Sequence, residues 1–354
     1  MSARQLTIEP TGETIPVAEG QTILDACLRA GLYLPHACGH GLCGTCKTQV
    51  IDGEIDHGAA SPFALMDFER EDGFVLACTA TLTSDATIEA DMEDDSDARR
   101  IPVRDFVGLV EAIDYLTHDV KGVRLAIEGA PIDFQAGQYV NVTLPGVDGA
   151  RAFSIANAPS DSTHVELQIR RVPGGAATGY IHDRLKLGDR VSFSGPSGRF
   201  LVRKSRGGPL LFLAGGTGVS SPRAMILDLI EGGCEEAITL VHGVRAQADL
   251  YGRAEFEALA AAHPNFRYVP ALSNEPDGSD WPGERGFVHD VARRVCGGMF
   301  AGHTAYLCGP PPMIEACIAA LMQGRLFEKH IFTERFLTAS DCSERPKSPL
   351  FRKL

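Results

Sequence analysis

Apolar and polar positions change rhythm twice along this chain, and each change marks a different kind of structure. Residues 4–9 and 13–18 alternate with period two on either side of Gly12, which predicts a β-hairpin. Thr22 to Ala30 then places Ile23, Leu24, Cys27 and Leu28 on one helical face and stops at Gly31. Further on, the pattern predicts a strand at 47–51, a turn at Asp52-Gly53 and strands at 74–77 and 87–90. A short helix should open at Ser61-Pro62, with Phe63, Leu65, Met66 and Phe68 as its apolar residues. The run from Asp91 to Arg100 is acidic and turn-rich with almost nothing to bury, so it reads as a linker.

Between Val103 and about Val202 nearly every segment has strand character: 106–113, 120–127, 139–144, 151–155, 165–172 and 190–194, with one helix at about 178–187. Short strands at regular spacing form a barrel or a sandwich. After Pro209 the rhythm changes again. Continuous apolar runs at 210–214, 238–241, 268–272 and 305–307 alternate with helical patterns at 222–230, 254–262, 288–295 and 313–321. Strands buried on both faces and joined through helices make a parallel α/β sheet. The expectation is a multidomain chain divided at 1–96, 97–205 and 206–354.

Length and charge refine this picture. A chain of 354 residues with 44% hydrophobic side chains suits two or three domains with ordinary cores. No apolar run reaches the roughly 18 residues of a membrane span, and Met1 to Leu6 has no apolar signal core, so a soluble cytoplasmic protein is expected. Of the net charge of −13, residues 1–100 carry −12, from 18 acids and 6 bases, and the remainder only −1. An acidic first domain repels nucleic acid and steers a protein partner with basic patches.

Ten cysteines in such a chain point to a reducing compartment, where thiols stay available for metal. Cys38, Cys43 and Cys46 are spaced C-x4-C-x2-C, and Cys78 follows an apolar run 32 residues later. This is the plant-type spacing of a [2Fe–2S] cluster. Zinc knuckles usually come as two separated C-x2-C pairs, and a disulfide set would need an oxidising compartment. Glycines between the cysteines permit the dihedrals that turn N–H groups towards sulfur. His36, His40 and Leu42 read as exposed neighbours of the loop. Cys27, Cys234, Cys296, Cys317 and Cys342 fit no ligand spacing and read as packed or surface thiols.

Three further segments suggest nucleotides. In Arg151-Ala152-Phe153-Ser154 an arginine suits a phosphate, an aromatic the face of a ring and a hydroxyl a ring nitrogen. Gly174 to Thr178 offers free N–H groups at the start of a helix, as a pyrophosphate requires. Gly215-Gly216-Thr217-Gly218 follows the first strand of the parallel sheet, where open α/β sheets bind nucleotides, although Ser221 stands where a third glycine would be. A second strand-to-helix turn, Cys308-Gly309-Pro310-Pro311-Pro312-Met313, either holds Cys308 against a ligand or simply buries a thiol.

Taken in this order, the motifs resemble the ferredoxin–NADP reductase superfamily with a plant-type ferredoxin fused at its N-terminus. Within it the chain is similar to reductase components of bacterial multicomponent monooxygenases of the phenol hydroxylase type. That closer likeness is carried by Pro35 to Gly41, Ser61 to Asp67, Phe134 to Tyr139, Gly174 to Thr178 and Leu321 to Glu328, and it covers nearly the whole chain. It implies an α+β β-grasp ferredoxin domain, an antiparallel β-barrel for FAD and an α/β parallel-sheet domain for NADH.

It also implies residue roles. Cys38, Cys43, Cys46 and Cys78 would ligate the cluster. Arg151 would meet the FAD pyrophosphate, Ala152 and Phe153 would lie along its ring, and Ser154 would reach the flavin N5. Ile169, Arg170, Val172, Gly175, Ala176, Ala177 and Thr178 would line the rest of the FAD. Gly216, Thr217 and Gly218 would seat the dinucleotide, with Cys308, Gly309 and Pro310 near its reactive ring. Glu334 and Phe336 would be the acid and aromatic beside the flavin, so that Ser154, Cys308 and Glu334 form the catalytic set. The tail beyond Phe336 departs from reductases that end at that aromatic. The implied activity passes electrons from NADH through FAD and the cluster to a di-iron hydroxylase component of a phenol or aromatic monooxygenase, the protein itself being monomeric. Reductases of Rieske-type ring-hydroxylating dioxygenases use the same modules and are the alternative. NADH is expected over NADPH, because the segment after the second parallel strand offers Arg245 but no basic cluster.

Overall fold

A computed structural model describes residues 3–91 and 95–336. By their contacts these form two compact units, one of residues up to 96 with 100–104, the other of 97–99 and 105–336. Cys342 and the tail beyond Phe336 lie outside the described residues.

In the first unit, Arg4–Glu9 pairs antiparallel with Glu13–Val17 and parallel with Ala86–Glu89. The five-stranded mixed sheet runs Glu13–Val17, Arg4–Glu9, Ala86–Glu89, Lys47–Asp52, Phe74–Leu76. The helix Ile23–Arg29 packs on it through Ile23, Leu24, Ala26 and Cys27, and starts where Thr22 Oγ1 accepts from Asp25 N at 3.3 Å. This is the β-grasp arrangement, a helix held against a mixed sheet over the core of Leu6, Ile8, Leu76 and Ile88. The helix expected at Ser61-Pro62 is not there. Ala64 N and Leu65 N both bond to Ser61 O, closing a single turn, and the helix begins later, at Asp67–Glu71. Only Leu65 of its four apolar residues reaches the core, while Phe63, Met66 and Phe68 are exposed.

In the second unit the antiparallel sheet runs Arg151–Ser154, Tyr139–Thr143, Arg190–Ser197, Arg104–Tyr115, Val120–Ile127, His164–Arg170. A bridge between Ile155 and Leu167 joins its two outer edges, so the sheet nearly closes into a barrel. Its helix is Ala176–Asp183, shorter than expected at the C-terminal end because Leu185 turns back into the core and its N–H bonds Tyr180 O.

The parallel sheet runs Glu284–Arg285, Phe266–Leu272, Ile238–Val244, Leu210–Gly215, Thr304–Gly309, Ile331–Arg335. From the central Leu210–Gly215 the chain builds outward on one side, then returns to build on the other. Leu210–Gly215 and Thr304–Gly309 therefore flank the switch point where such sheets bind ligands. Leu211, Phe212, Leu213 and Ala214 are wholly buried, as the continuous apolar run required. The edge strand Ile331–Arg335 is partly polar and half exposed, and this pattern hid it from the sequence. Among the described residues, no helix is long and apolar enough to cross a membrane.

Candidate functional site

The four cysteines meet at one end of the first unit. Gly39, Gly41 and Gly44 all have positive φ, near 70°, and a Cβ on Gly41 would press on Thr79 Cγ2 at 2.8 Å. With the backbone turned this way, His40 N and Leu42 N point at Cys38 Sγ, each at 3.4 Å, and Gly41 N at Cys78 Sγ at 3.3 Å. N–H groups aimed at sulfur stabilise thiolates. The Cys46 and Cys78 sulfurs lie close enough to share a proton, which draws Cys46 down to about 6 and pushes Cys78 up. Such a donor set fits a metal centre.

Three thiols from one loop and a fourth from beyond a later strand follow the plant-type [2Fe–2S] order rather than that of paired zinc knuckles. Of the three neighbours, His40 and Leu42 are exposed, but His36 is half-buried, its Nδ1 2.8 Å from Leu34 O. The Ser61 turn lies along the loop through Ser61 N to Gly41 O at 3.0 Å. Cys27 and Cys317 are buried and Cys234 and Cys296 half-buried, apart from this centre.

In the second unit, strand register brings a half-buried carboxylate to the switch point. Cys308 stands beside Ala214 on one neighbouring strand and beside Glu334 on the other. Glu334 Oε2 accepts from Ser221 Oγ at 2.6 Å, Ser154 Oγ at 3.3 Å and Cys308 Sγ at 3.3 Å. Burial raises the Glu334 carboxyl above its ordinary range, against the pull of these three donors. Burial and the adjacent carboxylate push the Cys308 thiol up as well. The structure thus joins Ser154, Cys308 and Glu334 and adds Ser221, which sequence reasoning had noted only as a missing glycine.

The other expected residues surround this point. Gly216–Val219 forms a 3-10 turn leading into the helix Ser220–Glu231. A Cβ on Gly218 would overlap the Cys308 carbonyl, so the two strand-to-helix turns touch backbone to backbone. Pro310 caps the helix Pro311–Gln323, and Phe336 N donates to Gly309 O at 3.0 Å. On the barrel, Arg151 is exposed and donates to Asp148 O and Ala150 O at 2.8 and 3.0 Å, while Ala152 is exposed and Phe153 half-buried. Ile169 is buried, and Arg170 pairs with Asp119 at 2.9 Å. Gly175 caps the helix that carries Ala176, Ala177 and Thr178, and Val172 N donates to Thr178 Oγ1 at 3.1 Å.

Two residues without a sequence signal fasten barrel to sheet, and a third packs within the sheet domain. Gln168 Oε1 accepts from Ser220 Oγ and Tyr251 OH at 2.9 and 3.2 Å. Arg223 grips Glu255 in a fork while donating to Glu166 at 3.0 Å and Ala156 O at 2.6 Å. His242, fully buried and drawn down to about 4 by that burial, sits 3.2 Å from Gly216 O beneath the glycine turn.

Known proteins account for each part. The 2Fe-2S iron-sulfur cluster binding domain family matches residues 6–83, the oxidoreductase FAD-binding domain family 108–201, and the oxidoreductase NAD-binding domain family 212–318. The reductase component of phenol 2-monooxygenase from Pseudomonas sp. (strain CF600) is 57% identical over 350 residues, 99% of each chain. The phenol hydroxylase P5 protein of Acinetobacter pittii (strain PHEA-2) is 52% identical over 351 residues, again 99% of each. A crystal structure of an Amycolatopsis cytochrome P450 reductase superposes with a TM-score of 0.85 at 36% identity, covering 94% of this chain and 98% of that one. With three cofactor domains in this order and that identity over its full length, the chain belongs to the family of phenol hydroxylase reductase components, oxidoreductases that combine 2Fe-2S, FAD and NAD domains.

Proposed function

We propose that this chain is the NADH-dependent reductase component of a phenol or related aromatic monooxygenase, passing electrons through FAD and a [2Fe–2S] cluster to a di-iron hydroxylase component. The reading includes a cytoplasmic protein, monomeric on its own, with domains at 1–96, 97–205 and 206–354. One observation carries it: Ser154, Ser221, Cys308 and Glu334 converge on one buried point in the unit that matches the FAD and NAD families, in a chain that also holds four cysteines in plant-type order. Identity to phenol hydroxylase reductases over 99% of both chains favours this over service to a Rieske-type dioxygenase.

When bound, FAD takes an electron pair from NADH and releases it singly to the one-electron cluster. The chain's own part is placement and proton control. Ser154 stands on the barrel side of the junction and Cys308 on the sheet side, so Ser154 would hold the flavin and Cys308 would face the nicotinamide. Burial lets Glu334 keep its proton more readily than a carboxyl in water, and Ser154, Ser221 and Cys308 all meet its Oε2. Arg151 would turn from the Asp148 and Ala150 carbonyls to a pyrophosphate, assisted by the N–H groups of Gly175 to Thr178. Gly216 and Thr217 leave their backbone open to the dinucleotide, while Gly218 lets the turn pass against Cys308.

Stopped-flow mixing with NADH tests this by following the flavin band, near about 450 nm, separately from the cluster bands. Flavin bleaching that precedes cluster reduction is the expected order. A purified protein that shows cluster bands and no flavin overturns the reading. Turnover restored with a Rieske-type oxygenase but not with a phenol hydroxylase would move it to the alternative.

A further inference from the structure

The strand Ile238–Val244 ends beside the glycine turn, and the next residue is Arg245. In open α/β sheets the chain just past this second strand meets the adenosine ribose, where a carboxylate binds a 2′-hydroxyl or an arginine binds a 2′-phosphate. Arg245 is the right type for a phosphate, yet its guanidinium is already engaged. Nε and Nη2 donate to the two oxygens of Asp249, each at 3.2 Å, and Nη2 lies 3.9 Å from Asp119 Oδ2.

Both carboxylates are themselves held. Asp249 Oδ2 also accepts from Ala246 N at 3.2 Å. Asp119 accepts from Arg170 Nε at 2.9 Å and Thr117 Oγ1 at 3.0 Å. His118 stands 3.9 Å from each of them. The acid side chains are 15% and 19% exposed, against 58% for Arg245. Further along the same turn, Gln247 donates through N and Nε2 to Glu275 at 3.0 and 2.7 Å and through Nε2 to Asp280 at 3.2 Å. The rim past the strand thus carries the carboxylates of Asp119, Asp249, Glu275 and Asp280 against the guanidiniums of Arg170, Arg245 and Arg285, leaving acids in excess. The oxygens of Asp119 and Asp249 and a His118 nitrogen lie within 4.8 Å of one another, as cation ligands would, but the two arginines already balance them.

We propose that Asp249 and Asp119 determine dinucleotide choice by clamping Arg245: they keep its guanidinium from a 2′-phosphate and leave the rim negative, so that NADH is accepted and NADPH refused. The proposal rests on the reading of the chain as an NADH-dependent reductase. Asp249→Asn keeps an oxygen for Ala246 N and removes the charge. In the full-length holoprotein with ferricyanide as acceptor, this substitution should raise the ratio of kcat/KM for NADPH to that for NADH about tenfold, the scale of one charge-assisted contact. Adding Arg245→Ala should abolish the gain. An unchanged ratio, an equal change with both dinucleotides, or a gain that survives without Arg245 overturns the clamp. Should Asp249→Asn not fold, Asp119→Asn is read for the same rise in ratio. A wild-type holoprotein that fails to oxidise NADH at all sinks the reductase reading instead, a separate outcome.

Discussion

The two chemical centres are built in opposite ways. The cysteine loop draws three of its four sulfurs from nine consecutive residues and stays at the surface, its shape set by backbone N–H groups and by glycines at positive φ. The Glu334 junction draws four side chains from four separate elements spanning 180 residues of sequence, and gathers buried Ser154, Ser221 and Cys308 around one oxygen of the half-buried Glu334. On the proposed function, the loop would hand electrons to a partner past its exposed residues, and the junction would serve a hydride from which water is held back. Damage should therefore be local and chemical in the loop, and shared between binding, rate and stability at the junction.

The largest expected effect separates the two centres outright. Cys46→Ala should remove the cluster bands and lower coupled hydroxylation about a hundredfold or more, while NADH still bleaches the flavin. Loss of both together would mean that the centres are not separable. Next, Glu334→Gln should slow flavin reduction by NADH about a hundredfold, seen in single-turnover mixing, with cluster bands intact.

The same substitution carries a pH prediction. Burial raises the Glu334 carboxyl above its ordinary 4.5, so above that pH the unfolded chain releases a proton that the folded chain retains. Its contribution to stability is therefore fullest below about 4.5 and is lost as pH rises through the raised value. The stability of Glu334→Gln relative to the parent should grow with pH over this window in urea titrations. A constant difference across it would show that Glu334 is not shifted.

A smaller effect is expected from Gly218→Ala. The new methyl would push the glycine turn away from the Cys308 carbonyl, at a cost of about 1–3 kcal/mol for overpacking. KM for NADH should rise about tenfold with a lowered Tm, while the cluster spectrum stays unchanged. The smallest effect concerns docking. Residues 1–100 carry −12, and Leu42, Phe63, Met66 and Phe68 lie exposed in the segments that form the cysteine loop and the Ser61 turn beside it. Coupled turnover should fall severalfold between about 0.02 and 0.5 M salt, and severalfold on Phe63→Ala, with ferricyanide reduction constant. Equal salt sensitivity in both assays would remove the electrostatic docking idea.

What could be read beforehand follows the same division. Ligands placed close in sequence announce themselves by spacing, so Cys38, Cys43, Cys46 and Cys78 stood out without help. The parallel sheet was legible because strands buried on both faces must be continuously apolar, as 210–214 is. The junction was not legible from spacing: Ser154, Cys308 and Glu334 were named through family resemblance, because only the register of Thr304–Gly309 with Ile331–Arg335 puts two of them side by side. Gln168 and Arg223 carried no pattern at all, since their partners are set by how barrel and sheet pack, and His242 none because its partner lies on the turn beyond a neighbouring strand. The Ser61 segment misled for a related reason. Its apolar residues were counted towards a helix face, but Phe63, Met66 and Phe68 point to solvent, and period alone cannot tell a core stripe from an exposed one.

Three hydrogens arrive at a single oxygen, Glu334 Oε2, and by distance they are unequal, with Ser221 at 2.6 Å and Ser154 and Cys308 both at 3.3 Å. Such convergence amounts to redundancy with one close member and two distant ones. Loss of the Ser154 or the Cys308 bond would leave the carboxylate partnered by Ser221. The serine that occupies the position of a missing glycine is thus the anchor of the set.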